Sequence, residues 1–510
     1  MRLGRLIDSL AMISQSPPIG HGMIEVLELR EICLSIQARG GRLLALWGDH
    51  ATDKRKPFAL QLAFVLGPQP GLLWLTVVLA EPEYPSLHDI FPCASRMQRA
   101  VYDMVGIGAK NAADTRKWLR HAAWPQHFFP LQDGVLRDFP IETDQYPFIL
   151  VEGDGVVEIP VGPVHAGTIE PGHFHFSVVG EKVLRLEERL GYKHKGIEKR
   201  FAGLGVFEGA RLAGRISGDS TVAYALSYAM AIENATNTKV PKRAMWLRAL
   251  WLERERIMNH LGDLGALGND AGFAFGLSQF SRLKENMLRL NEKLCGHRYV
   301  MDVIVPGGVV EDPGQTLHDV LQEIKTLDEE VELLKTIYDD HAGLQDRFCG
   351  TGCLPPRMAT RLGVTGLVAR ASGQIMDLRA DFPCPPYDQL NVQTASFEGG
   401  DVAARVAVRF AEIKESLRLC AAIVQQMPKG PVAAAVKAQK GMGAGIVEGW
   451  RGEVFFAITL DENGQLARVH AHDPSWQNWP ALEIAILDNI VPDFPLINKS
   501  FNLSYSGHDL

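Results

Sequence analysis

Four groups of residues have types and spacings that could do chemistry. The first is "GPVHAGTIEPGHFHF" at 162–176, which puts His165, Glu170, His173 and His175 into a loop and the strand that follows. His173 and His175 alternate with Phe174 and Phe176, so in a strand both imidazoles share one face. A metal needs a third and fourth ligand, which the neighbouring residues do not supply. Two polar-face histidines over a Phe-lined core is the plainer reading. Glu170, ahead of Pro171 in a Gly-rich turn, reads as a buried carboxylate for proton transfer. The second group, "YKHKGIEKRF" at 192–201, reads by itself as a solvated helix start. The third is Ser217, Gly218, Asp219 and Ser220, just ahead of an apolar helix. Asp219 or Ser220 suits its N-cap, and the free N–H groups of a helix start also suit an anion or a polarised oxygen. The fourth is "INKSFNLSYSGHDL" at the C-terminal end. Its polar residues could fray, but the apolar run before it can dock it inside.

Other chemistries lack their residues. No spacing builds a nucleophile, base and orienter, and there is no Walker loop, G-x-G-x-x-G or C-x-x-C. Seven cysteines stand at 33, 93, 295, 349, 353, 384 and 420. An odd count without a repeating pattern argues against a disulfide framework and for a reducing compartment. Cys349 and Cys353, spaced C-x3-C, read as structural.

The elements that must position these groups follow from length and pattern. At 510 residues the chain is long enough for several domains. It is 46% hydrophobic and 22% charged, which excludes a disordered or low-complexity protein. Lys plus Arg is 52 against 60 Asp plus Glu, so the net charge of -8 argues against nucleic acid as a partner. The most apolar stretch, 71–80, is half of what a membrane-spanning helix needs. Asp8 interrupts the apolar N-terminal run and no clean cleavage site follows, so no signal peptide is expected. Apolar runs at 64–66 and 72–79, with "GPQPG" between them as a turn, predict strands of a small α/β domain over 1–140. A Pro-containing polar linker is expected at 141–150. Over 151–510 short strands give way to long helices, predicted at 241–267 with Pro241 at the first helical position, and at 281–298, 316–344 and 402–427. Residues 451–461 return to strand. The fold class is therefore α+β: a small α/β domain, then a mainly helical domain carrying small sheets.

The motifs in their order carry a resemblance. "GPVHAG…EPGHF", "KHKGIEK", "RISGDS", "PKRAMWLRALWLERERIMNHLGDLG", "PGGV" at 306–309, "GVTGLVARASG" at 363–373, "EGWRGE" at 448–453 and the tail resemble the large subunit of membrane-bound [NiFe] hydrogenases of the formate-hydrogenlyase and hydrogenase-4 type. They equally resemble its relative, the D-type subunit of complex I, the NADH-quinone oxidoreductase. "EPEYPSLHDIFPCASRMQRAVYDMVGI" at 81–107, followed by "WPQHFFPLQDG", is similar to the C-type subunit of complex I. The resemblance thus covers nearly the whole sequence, as a C–D fusion.

The resemblance also marks departures. The hydrogenases hold nickel and iron through two Cys pairs, one ahead of the "STVAYAL" helix and one near the C-terminus. Here the first pair falls on Ser217 and Ser220, and the second on Leu503 or Ser504 and on Ser506 or Gly507. A neutral hydroxyl does not replace a soft bridging thiolate, so no NiFe centre and no metal ligand is expected in this chain. The family's processed C-terminal extension is likewise not expected. In the D-type subunit of complex I a His and a Tyr contact the quinone head group, and those positions align with Ile169 and Gly218. Tyr224, Tyr505 and His508 are the nearby substitutes.

Glu170 matches the family's proton-passing Glu, and Arg451 matches an Arg that lies over the hydrogenase active site. The expected site is a polar cavity: Glu170, Arg451 and Asp219 as its catalytic groups, and Ser217, Ser220, Tyr224, Ser504 and Ser506 from the former ligand region. The resemblance implies a subunit of a membrane-associated oxidoreductase, passing electrons from an iron–sulfur partner to an acceptor, with quinone a candidate. Its partners would be an iron–sulfur small subunit like the B-type subunit of complex I, and membrane antiporter-like and anchor subunits. It would bind no cofactor itself and lie peripherally on the cytoplasmic face. The alternatives are a non-catalytic scaffold of the same kind of complex, or an independent hydrolase or metal enzyme using the His cluster.

Overall fold

The computed structural model describes residues 2–50, 58–67, 71–121, 124–132, 146–165 and 169–510. The middle of the "GPQPG" turn and the first half of the expected linker lie outside the described residues. The first sheet has five strands in the order Ala11–Gln15, Pro18–Glu25, Leu72–Leu79, Phe58–Val65, Arg42–His50. Pro18–Glu25 runs parallel to Leu72–Leu79 and the other neighbours are antiparallel. The run "LLWLTVVL" does not alternate because both faces of this sheet are covered. Leu73, Leu75 and Val77 face the helices Leu29–Gln37 and Ala94–Val105. Leu72 and Trp74 join a second core with Ala444, Ile446, Phe455 and Ala457, so the N-terminal sheet packs face to face on a hairpin from far along the chain. Arg468 ties the contact with Asp49 at 2.7 Å, and Arg42 pairs with Glu453.

A second sheet sets His173–Val179 between Val156–Val161 and Lys182–Arg189. Its side chains alternate as the sequence predicts. Phe174 and Phe176 are buried, while His173 and His175 lie beside Phe148, His175 stacking at 4.3 Å. His175 pairs with Glu158 at 2.8 Å. Among the described residues, no three His, Cys, Asp or Glu side chains converge in a way that could hold a metal ion.

The helical part is built on Thr221–Thr236, Lys242–Asp270, Ala274–Cys295, Leu317–Asp340 and Val402–Gln425. The predicted helices exist with shifted ends, and Pro241 is the N-cap rather than the first helical residue. The expected 316–344 helix ends at Asp340, where His341 is extended and caps a separate short helix, Ala342–Phe348. Thr221–Thr236 lies across the hairpin strand Gly441–Glu448. A β-carbon at Gly443 would stand 2.1 Å from the Ala231 carbonyl, and one at Gly445 2.1 Å from that of Ser227. Glycine at alternate positions therefore lets helix and strand backbones meet. Among the described residues no helix is long and apolar enough to cross a membrane.

Lys242–Asp270 departs from an amphipathic pattern. It buries Arg248, Glu253, Arg254, Glu255 and Arg256 besides its apolar residues. Isolated buried charge is prohibitive, so each finds a partner. Arg248 holds Glu233 bidentately at 2.6 and 3.1 Å, and Arg254 holds Glu323 at 2.5 Å. Glu253 accepts from Arg379 at 2.8 Å, from Tyr387 at 2.6 Å and from Ser416 at 2.6 Å. Glu412 accepts from Arg370 at 2.6 Å and lies 2.7 Å from His260.

Candidate functional site

The "RISGDS" loop, the hairpin tip, the "NHLGDLG" part of the long helix and the C-terminal tail converge on one polar cavity of about 420 Å³. The tip is the tight turn at Trp450 and Arg451, closed by Gly449 and Gly452 exchanging backbone hydrogen bonds. Gly366 passes so close beneath it that a β-carbon there would stand 2.0 Å from the Arg451 carbonyl. This packing fixes where the Arg451 side chain leaves the turn.

Arg451 is 6% exposed. Its guanidinium donates to both Asp219 oxygens, at 2.8 and 2.6 Å, to Ser220 Oγ at 3.1 Å and to the Asn502 carbonyl at 2.5 Å, and it lies over the Trp450 ring. Asp219 therefore compensates the buried Arg451. Burial by itself would push the Asp219 carboxyl up, but Arg451 and the Ser217 hydroxyl hold it at about 2. The pair is a bidentate, charge-assisted contact. Trp450 Nε1 and Asn259 Nδ2 donate to the Asp219 carbonyl at 2.9 and 2.7 Å, which fixes the loop itself.

The tail docks inside. Residues 505–509 form a short buried helix, with Ser504 as its cap accepting from Gly507 N at 2.8 Å. The segment expected to be a solvated helix start clasps it. Gly191 N and Lys193 N donate to the Asp509 carboxylate at 2.9 and 2.8 Å, and Lys195 N donates to the Leu510 carbonyl at 2.6 Å. A buried carboxylate needs these N–H donors, so the basic cluster is largely structural. Its Glu198 is pushed up by burial, yet Arg468 and His470 draw its carboxyl down to about 2.

The expected residues are brought together unevenly. Ser217 Oγ lies 2.9 Å from Ser504 Oγ and donates to Asp219 at 2.8 Å, so two segments 287 residues apart meet hydroxyl to hydroxyl. Glu170, Ser506 and Tyr505 also line the cavity. Glu170 accepts from Ser506 N at 3.1 Å and lies 3.6 Å from Lys193 Nζ, but its side chain is 38% exposed rather than buried. Ser220 stands behind the wall on Arg451. Tyr224 is buried and donates to Asp473 at 2.6 Å; burial and that carboxylate push its hydroxyl well above the usual range. His508 sits away from the cavity, stacked on Trp476 and 2.8 Å from Asp509. Ile169 and Gly218, at the positions of the quinone-contacting His and Tyr, do line it.

Sequence reasoning missed Asp263, Asn502, Lys284 and Lys499, which complete the wall. Asp263 accepts from Arg409 at 2.8 and 2.9 Å and from Asn502 Nδ2 at 2.6 Å. Asp263 lies one helical turn after Asn259, and that i, i+4 spacing was the available signal. The Ser217, Ser504 and Ser506 hydroxyls do not fit a nickel–iron centre, which needs soft thiolates. All seven cysteines lie at other positions, and Cys33, Cys93 and Cys420 are buried.

Comparisons with known proteins agree with this architecture. Residues 25–145 match the family model "Respiratory-chain NADH dehydrogenase, 30 Kd subunit", and residues 270–442 match "Respiratory-chain NADH dehydrogenase, 49 Kd subunit". The chain is 31% identical to formate hydrogenlyase subunit 5 of Escherichia coli (strain K12), over 92% of this chain and 85% of that protein. It is 32% identical to hydrogenase-4 component G of the same organism, over 84% and 76%. It is 28% identical to the C/D subunit of NADH-quinone oxidoreductase from Bacteroides thetaiotaomicron, over 77% and 78%. Among solved structures, a chain of the membrane-bound sulfane sulfur reductase, an archaeal respiratory membrane complex, superposes with a TM-score of 0.66 at 25% identity. That match covers 70% of this chain and 99% of that one.

Proposed function

We propose a function from one premise: the chain belongs to the family of formate hydrogenlyase subunit 5 and hydrogenase-4 component G, with the complex I 30 kDa and 49 kDa subunits as relatives. It acts as a subunit of a membrane-bound, complex I-like oxidoreductase. It spans two units, 1–140 and 151–510, joined by 141–150. It lies peripherally on the cytoplasmic side, against an iron–sulfur small subunit and membrane antiporter-like and anchor subunits. Electrons from the partner's cluster reach an acceptor in the polar cavity without a NiFe centre.

The observation that carries this reading is the Ser217–Ser504 contact at 2.9 Å beside the Arg451–Asp219 pair. The two segments that hold thiolates in the hydrogenases still meet, but they meet as hydroxyls. What survives is a fixed cation facing an open polar space. A preorganised guanidinium stabilises negative charge that develops on an acceptor as electrons arrive. Arg451 cannot lose its proton here, because Asp219 holds it in the charged form. Glu170, partly exposed in the cavity wall, is placed to hand protons between solvent and the cavity.

The test is acceptor reduction by the complex purified in mild detergent. With Arg451→Ala the subunits should still assemble, while reduction should fall by about a hundredfold, the scale for losing one electrostatic donor. Unchanged reduction in an assembled variant would favour the scaffold reading.

A further inference from the structure

The cavity wall carries three carboxylates, Asp219, Asp263 and Glu170, and three cations, Arg451, Lys284 and Lys499, with Arg409 and Lys193 beside it. Its three carboxylates each have a cation. Asp219 is held by Arg451, Asp263 by Arg409, and Glu170 lies 3.6 Å from Lys193. Lys284 and Lys499 also line the cavity, and among the described residues neither has a carboxylate within 4.0 Å or a hydrogen-bond acceptor. Asp219 feels Lys284, and the exposed Asp270 feels Lys499, through space without pairing with it. Both ammonium groups belong to half-buried residues on different helices, Ala274–Cys295 and Phe494–Phe501. Gly262 makes room for one of them: a β-carbon there would stand 2.9 Å from Lys284 Nζ. Two like charges held at one polar cavity repel unless an anion joins them.

We infer that Lys284 and Lys499, with the Ser217, Ser504 and Ser506 hydroxyls, bind a small oxyanion in this cavity. The walls favour that class over a neutral quinone. A quinone tail needs apolar walls, and the lining is hydroxyls, amides and charges, with Ile169, Leu503 and the Tyr505 ring as the main apolar surfaces. The inference rests on the reading of the cavity as the ligand-binding site of the complex, and it names the ligand's charge class.

Lysine acylation of the intact complex, followed by mass spectrometry, tests it. Inorganic phosphate, and separately sulfate, should slow acylation of Lys284 and Lys499 severalfold against chloride at equal ionic strength. Lys440, paired with Glu462 on the surface, should be unaffected. Phosphate should raise the melting temperature of the wild type, and of a Lys284→Arg/Lys499→Arg variant, but not of Lys284→Gln/Lys499→Gln. The inference is overturned if neither oxyanion protects these lysines, if chloride protects them equally, or if a short-chain quinone protects them and the oxyanions do not. Failure of the electron-transfer reading would look different: the lysines would be protected, while no acceptor is reduced by the assembled complex.

Discussion

Two of the places where the molecule buries charge lie on either side of the Trp450–Arg451 turn. On one side Glu253, Arg256, Arg370, Arg379, Glu412 and Glu448 are all at most 3% exposed, and each is in an ion pair with another member. On the other side Arg451 and Asp219 pair just as closely, but the Asp219 side chain is 39% exposed, in a cavity whose Lys284 and Lys499 have no ion-pair partner among the described residues. The first arrangement is closed on itself and borders, through Arg379 and Glu448, only a smaller and mainly apolar cavity of about 220 Å³. The second holds a fixed charge against space that a ligand can fill. Buried charge by itself therefore does not mark a functional site; buried charge facing open polar volume does.

Breaking the closed network should have the largest effect. Arg370→Met leaves Glu412 and Glu448 without their common partner, whose Nε and Nη1 lie 2.6 and 2.8 Å from them. The loss should be about 3–5 kcal/mol, seen as a large fall in the melting temperature of the complex. Arg451→Ala should invert that profile, with modest thermal loss and the collapse of acceptor reduction given above. Equal thermal losses would erase the distinction between the two places.

The pH dependence sharpens the comparison. Glu255, between the two regions, accepts from Val222 N at 2.6 Å and Ala223 N at 3.1 Å. Burial pushes its carboxyl up to about 8, more than those bonds pull it down. The folded chain therefore holds this proton well above the unfolded value of about 4.3. The stabilisation is complete below the unfolded pKa and is lost as pH rises toward 8. Glu255→Gln should flatten the decline in melting temperature over that window. Asp219 has the opposite sign. Its contribution is present above its unfolded pKa and is lost as pH falls toward 2. The smallest effect belongs to Ser217→Ala, which removes the hydroxyl between Asp219 and Ser504 and should cost about 1 kcal/mol.

Much of this was legible in the sequence. Strand alternation at His173–Val179, the long helices and the docking of the tail follow from periodicity and apolar runs. The convergence of Arg451, Asp219, Ser217 and the tail came from motif order, since no local pattern links positions 219 and 451. The face-to-face packing of the N-terminal sheet on the Gly441–Glu448 hairpin was not legible, because a both-sides-apolar strand does not say what covers it. The glycines of "GMGAGIVE" were the available sign that a helix backbone meets that strand. Lys284 and Lys499 escaped notice because isolated lysines on helices read as solvated. The half-exposure of Glu170 depends on how its turn sits on the fold, which its local sequence does not encode.

We propose that the cavity of this hydrogenase-related subunit works without a nickel–iron centre. The most direct measurement is the nickel and iron content of the native complex per copy of this chain, taken with its subunit composition. Iron from a cluster-bearing partner, membrane subunits and no nickel are expected. Stoichiometric nickel bound to this chain would contradict the proposal.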